Sequence, residues 1–258
     1  MIMPLYDDNE DRKTTPVVNY IIIALNIFVF AVFQNFGEND RFTYTFSTVP
    51  QEIISGRDIQ TEPTVLGRTR SGEQITMPGL EPTPIPVYLT MITSMFMHGS
   101  IGHILGNMLF LWIFGDNMED RLGHVRYLMF YLLSGIAASL AHVGTCYFLQ
   151  TSMMIPSLGA SGAISGVMGA YAFFFPHRKV TVLILRFVTT VPAMVAVGLW
   201  FLFQIISSAS LFSGEEGGGV AYGAHIGGFL AGIPIAYFFD TWKKPERPDS
   251  SKNWTAPA

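Results

Sequence analysis

The sequence predicts an all-α polytopic membrane protein, a bundle of six transmembrane helices, and three observations predict it. Half of the 258 residues are hydrophobic and only 13% are charged, a balance too apolar for an ordinary soluble domain. Apolar runs of spanning length, about 17–25 residues, can be placed six times along the chain. The lysines and arginines between those runs fall on alternate connections, as repeated crossing requires.

The elements follow in order. The first dozen residues are acidic, and residues 1–16 read as a cytoplasmic tail; the apolar run after them is long enough to span rather than to be cleaved as a signal. The six segments are expected near Val17–Phe36, Ile101–Met118, Tyr127–Leu149, Leu158–Phe175, Val191–Ser208 and Gly219–Phe239. Together they make one six-helix domain over 17–240. Only the first connection is long, from Gly37 to about Pro86 (37–90 at its widest). It is rich in Pro, Thr and charge, shows no clear helical period, and reads as an extramembranous loop or strand-like excursion. The last part, 241–258, reads as a cytoplasmic tail, polar and disordered from Lys243.

Charge sets the orientation. Outside the long loop the cations are Arg12 and Lys13, then Arg121 and Arg126, then Arg178, Lys179 and Arg186, and finally Lys243, Lys244, Arg247 and Lys252. Six crossings put all of them on one side, so both termini are expected in the cytoplasm, in the plasma (inner) membrane of a prokaryote. A net charge of −4 and the lack of a basic patch argue against a nucleic-acid partner. Cys146 is the only cysteine, which rules out an intrachain disulfide, and it reads as a small buried hydrophobe.

With that orientation, segments two, four and six all run inward from the outer face. Ser161 lies near the start of segment four in the run Gly159-Ala160-Ser161-Gly162, and His225 near the start of segment six in Ala224-His225-Ile226-Gly227-Gly228. A rise of about 1.5 Å per residue keeps both within roughly 10 Å of one membrane face. His103 and Asn107, one helical turn apart on segment two, share that depth.

A serine hydroxyl needs a base to take its proton, and a neutral imidazole provides one near pH 7. Ser161 is therefore the expected nucleophile, with His225 its general base and then general acid. The outer halves of the helices carry no carboxylate; Asp116, Glu119, Asp120 and Asp240 lie at the cytoplasmic ends. A dyad is expected rather than a triad. His103, Asn107 and the backbone N–H of Ser161 are the expected oxyanion donors. Gly159, Gly162, Gly228 and Gly232, with Gly166 and Ala221, strip bulk from the facing helix surfaces so that segments four and six can pack at backbone contact.

Blander readings compete. A Gly-Ala-Ser-Gly run in a membrane helix is by itself more often a packing surface. His98, His103 and His225 as a metal site lack an accompanying carboxylate or thiolate, so neither metal nor cofactor is expected. Asn19, Asn26 and Gln204 read as interhelical hydrogen-bonding groups.

Taken together, His98-Gly-Ser-Ile-Gly-His103-Ile-Leu-Gly-Asn107-Met108, Gly159-Ala160-Ser161-Gly162 and Ala224-His225-Ile226-Gly227-Gly228 resemble, in order and placement, the motifs of the rhomboid intramembrane serine proteases. Glu119-Asp120-Arg121-Leu122-Gly123 is similar to that family's turn after its second core helix. The resemblance covers about 90–240. It implies a six-helix rhomboid-type core that cleaves single-span transmembrane substrates in the lipid bilayer, with Ser161 and His225 as the dyad and His103 and Asn107 as oxyanion helpers. Two departures stand out. Leu89-Thr90 replaces the Trp-Arg common in the family, and Ser165 stands where an aromatic often stacks on the catalytic histidine. Tyr222 or Tyr171 is the expected substitute for that aromatic. The alternatives are a catalytically inactive rhomboid-like protein that binds or escorts membrane helices, and a transporter, which the lack of intramembrane carboxylates and of repeat symmetry disfavours.

Overall fold

The computed structural model describes residues 2–68, 74–184, 186–212 and 221–242; the polar tail from Lys243 and the first residues of the expected sixth segment lie outside them. The chain begins with strand β1 (Ile2–Asp7). Helix α1 (Val17–Phe28) follows and continues as a π-helical stretch over Val29–Phe33. The long first connection holds two short helices, α2 (Asp40–Phe46) and α3 (Pro50–Ser55), a hairpin of β2 (Thr64–Arg68) and β3 (Gln74–Met77), and the short α4 (Thr90–Thr93). Helices α5 (Ile101–Leu122), α6 (His124–Leu149) and α7 (Ser161–Phe174) come next. Strands β4 (Lys179–Ile184) and β5 (Phe187–Pro192) separate these from α8 (Ala193–Phe212) and α9 (Tyr222–Thr241).

Among the described residues, α6 and α9 alone are long and apolar enough by themselves to cross a membrane; α1, α7 and α8 are shorter apolar helices. The six expected segments all fold as helices, but length does not make each of them a crossing. α5 carries Asp116, Glu119, Asp120 and Arg121 in its last two turns. α7, with 14 residues, measures about 21 Å against a hydrocarbon core of roughly 30 Å. Position explains its shortness. Every residue of α7 from Gly162 to Ala172 is buried, so most of the helix packs against protein instead of lipid.

Small residues let the neighbours of α7 come so close. A methyl group at Gly228 or Gly232 on α9 would strike the carbonyl oxygen of Gly162 or Gly166 on α7, and one at Gly162 would meet the Ala138 methyl of α6 at 2.7 Å.

Residues 119–122, expected in a turn after the helix, instead form the last turn of α5, with Gly123 ending it, and this turn ties α1 to α5. Pro16 at the start of α1 offers no side-chain cap, leaving the first N–H groups of the helix in need of acceptors. The Glu119 carboxylate accepts from the backbone N–H of Val18 at 2.9 Å and of Asn19 at 2.6 Å, while Asp120 accepts from Lys13, Thr14 and the Thr14 hydroxyl. Arg121 pairs with Asp240 at 2.8 Å, joining α5 to α9. Asn19 bridges helices as expected, donating to the Leu111 carbonyl and accepting from Tyr127. The Asn26 amide donates to the Ile22 carbonyl of its own helix, and its side chain also interacts with the Tyr131 hydroxyl of α6.

The N-terminal residues, expected as a tail, are ordered because β1 extends the β4–β5 hairpin into an antiparallel sheet of order β1-β4-β5. The strand delivers Asp7 into a buried position, 7% exposed. There its carboxylate accepts from Tyr171 of α7 at 2.5 Å and from Asn117 of α5 at 2.8 Å. Burial, reinforced by the nearby Asp116 charge and opposed by the Tyr171 hydrogen bond and Arg178, pushes the Asp7 carboxyl up to about 7. A carboxyl with a raised folded-state value stabilises the fold fully below its unfolded value near 4, and that contribution is lost as pH climbs through about 7. The melting temperature in detergent is therefore expected to fall between pH 5 and 8 by about 5 °C more in wild type than in Asp7→Asn. Parallel profiles for the two proteins would refute the assignment.

Candidate active site

At the opposite end from β1, the first connection braces the segment that feeds α7. Thr48 and Ser157 exchange backbone hydrogen bonds at 3.0 and 2.8 Å, the Thr48 hydroxyl lies 2.9 Å from that of Ser94, and the Gly159 N–H donates to the Ser94 carbonyl at 2.9 Å. Gln34, at the end of the π-helical stretch, donates to the His98 carbonyl and accepts from the His98 N–H. The long loop, whose role the sequence leaves open, thus holds both strands of chain that enter the site.

Gly159 turns the chain into α7 with φ +121°, a conformation side chains rarely adopt. A Cβ there would also meet the His103 ring at 2.9 Å. Ser161 consequently opens α7. No side chain caps this end, so the first N–H groups keep their donors free of intrahelical acceptors, and the helix dipole favours negative charge beside them. Ser165, one turn on, is buried and donates to the Ser161 carbonyl at 2.6 Å.

His225 stands in the first turn of α9, and its Nε2 lies 2.8 Å from the Ser161 Oγ. The backbone contact of α7 with α9 permits this approach. Of the expected aromatics, Tyr222 meets His225 edge-on, with ring centroids 6.5 Å apart. Tyr171 does not reach it: that side chain sits at the far end of α7, bonded to Asp7. The broader ring contact comes from Trp200 on α8, 5.9 Å away and tilted by 37°. The residue one turn further along α8, Gln204, places Oε1 2.8 Å from His225 Nδ1. The sequence reading has Gln204 as a generic interhelical group and does not single out Trp200. Their i, i+4 spacing places them on one face of a largely apolar helix, and that is the signal that marks them.

His103 and Asn107 lie side by side on α5 facing Gly159. The Ser100 hydroxyl caps α5 by accepting from the His103 N–H at 3.2 Å. His103 Nδ1 accepts from the Gly99 N–H at 3.4 Å, which leaves Nε2 to carry the proton and to donate. Its ring packs edge-on against the buried His98. The Asn107 amide nitrogen is buried and has no hydrogen-bond partner. A buried unpaired donor costs stability and is suited to a negative charge that develops only during a reaction. Among the described residues no three His, Cys, Asp or Glu side chains gather to hold an ion.

The arrangement thus has a hydroxyl against an imidazole on one side and a pair of donors on the other, the parts that acyl transfer needs. Residues 87–241 match the family model described as "Rhomboid domain". The chain is 34% identical over 164 residues to "Rhomboid protein 1, mitochondrial" of Saccharomyces cerevisiae, covering 62% of this chain and 44% of that protein. It is 29% identical over 171 residues to "Presenilin-associated rhomboid-like protein A, mitochondrial" of Danio rerio, covering 61% and 40%. Against "Rhomboid protease GluP" of Bacillus subtilis identity is 28% over 244 residues, covering 89% of this chain and 39% of that protein. The chain spans less than half the length of each of these relatives.

Proposed function

From the premise that this chain belongs to the rhomboid family, whose members are embedded in membranes, we propose that it is an intramembrane serine endopeptidase. One observation carries the reading, the 2.8 Å contact of Ser161 Oγ with His225 Nε2 across the α7–α9 interface. His225 takes the hydroxyl proton as the Ser161 oxygen attacks a peptide carbonyl. His103, Asn107 and the Ser161 backbone N–H receive the oxyanion. His225 then protonates the departing amine, and water, deprotonated by the same imidazole, releases the acyl-enzyme.

In this reading α1 and α5–α9 make six crossings, the termini are cytoplasmic, and substrates are single-span transmembrane proteins cut near the outer face. The charge pattern supports cytoplasmic termini, and the reading places the protein in the plasma (inner) membrane of a prokaryote; the mitochondrial names of two of the relatives point to an organelle instead, and imaging of the tagged protein in its native cell decides between them. A helical substrate hides its carbonyls, so Gly-containing segments are expected to be cut faster than uniform Leu/Ala helices. Equal rates would count against local unwinding.

The test is cleavage of a single-span substrate in proteoliposomes. Turnover by wild type supports the protease. Stable capture of the substrate without cleavage would favour the inactive helix-binding alternative. Within an active enzyme, Asn107→Ala is expected to lower kcat by about 10²-fold with KM nearly unchanged, because a donor used only by the oxyanion does not bind the ground state. A rise in KM at constant kcat would move Asn107 to substrate binding.

A further inference from the structure

The outer halves of the helices offer His225 no carboxylate, yet its second ring nitrogen is not free. Gln204 is 5% exposed on α8, and its Oε1 stands 2.8 Å from Nδ1 of His225. An amide oxygen has lone pairs and no proton, so the contact requires the hydrogen to be on Nδ1. A neutral imidazole has only one ring proton. With that proton held at Nδ1, Nε2 presents a lone pair to the Ser161 hydroxyl 2.8 Å away, the tautomer a general base must have. The reverse amide orientation would aim N–H at Nδ1 and drive the proton to Nε2, where it would block the serine. Trp200, one turn before Gln204, packs against the same ring, so α8 restrains His225 both through a ring face and through a nitrogen.

We infer that Gln204 is a positioning residue for the protease, a neutral third member that fixes the tautomer and orientation of His225. The inference rests on the serine protease reading. A neutral partner suits the place, since a carboxylate buried among these apolar helices would bear a desolvation cost that an amide does not. The groups that face His225 are Ser161 from α7, Trp200 and Gln204 from α8, and Tyr222 on its own helix. The imidazoles of His103 on α5 and His142 on α6 act on it electrostatically.

The experiment compares wild type, Gln204→Leu, Gln204→Glu and Ser161→Ala in proteoliposomes on one single-span substrate, with kcat and KM measured across pH and the His225 tautomer read by ¹⁵N NMR. Gln204→Leu is expected to lower kcat by about 10²-fold at nearly constant KM, and to lose the pure Nδ1–H tautomer. Gln204→Glu is expected to recover much of kcat and to move the acid limb of the kcat profile up by about one pH unit, because a carboxylate at Nδ1 stabilises the imidazolium. A Gln204→Glu profile superimposed on that of wild type would reduce the glutamine to packing and overturn the inference. So would an Nε2–H tautomer in the wild type. The NMR arm needs no turnover, so a wild type that binds but never cleaves sinks the protease reading separately from the placement of the proton.

Discussion

Ser161→Ala is expected to abolish cleavage, a fall on the order of 10⁴-fold or more in kcat, while the variant still folds, inserts and binds substrate. The change deletes one oxygen. Ser161 is only half-buried, and its side chain makes the hydrogen bond to His225 without filling a core position. The loss is thus chemical, since without the hydroxyl there is no acyl-enzyme and only the oxyanion donors remain. A serine-directed fluorophosphonate should label wild type and leave the variant unlabelled. His225→Ala should match Ser161→Ala in effect, and the double variant should be no worse than either, because residues that act as a unit lose their effect together. Residual turnover in Ser161→Ala within about tenfold of wild type would remove the nucleophile from this position.

Gly228→Val is expected to be nearly as damaging by a different route. The first carbon of the new side chain would strike the Gly162 carbonyl oxygen, and the Ala138 methyl would lie 3.1 Å from it. Backbone cannot yield as a side-chain tip can, so α9 must move away from α7. Overpacking of this kind costs about 1–3 kcal/mol, or roughly 5–10 °C in melting temperature. A displacement of about 1 Å between reacting groups can cost on the order of 10²-fold in rate, so activity should fall further than stability alone predicts. Gly144→Val on α6 is the control, because a Cβ there meets nothing within 4 Å. Equal behaviour of the two variants would mean that the α7–α9 contact does not set the distance between Ser161 and His225.

Part of this architecture was legible in the sequence because its signals are local. Glycines spaced along an apolar run announce a helix that will be packed closely, and they do so wherever the partner comes from. A polar residue in such a run must face protein instead of lipid. Those rules identify Ser161, His103, Asn107 and His225 as inward-facing and bring them to one depth. They say less about partners. Asn19 and Asn26 look alike in the sequence, yet Asn19 joins α1 to both α5 and α6, whereas the Asn26 amide donates within its own helix and its side chain meets α6 alone. β1 shows no clear alternation, because its register with β4 shifts between Pro4 and Tyr6, and its partner lies more than 170 residues away. The first connection, read as a loop or strand-like excursion, contains the β2–β3 hairpin, but its short helices show no period because they are fixed by hydrogen bonds to distant chain, such as Thr48 with Ser157.

By itself the sequence determined the helical class, the order of the core helices, the family motifs and the four residues from which the candidate site is built. Only the tertiary structure decided what surrounds them. It brought Gln204 and Trp200 to His225, sent Tyr171 to Asp7 at the other end of the bundle, and used the long loop as a brace for Gly159. The physical reason is that hydrophobic period and residue size govern which face of a helix is buried, whereas the hydrogen-bond partner of a buried polar group depends on the rotation and depth of a neighbouring helix, which packing of the whole bundle sets.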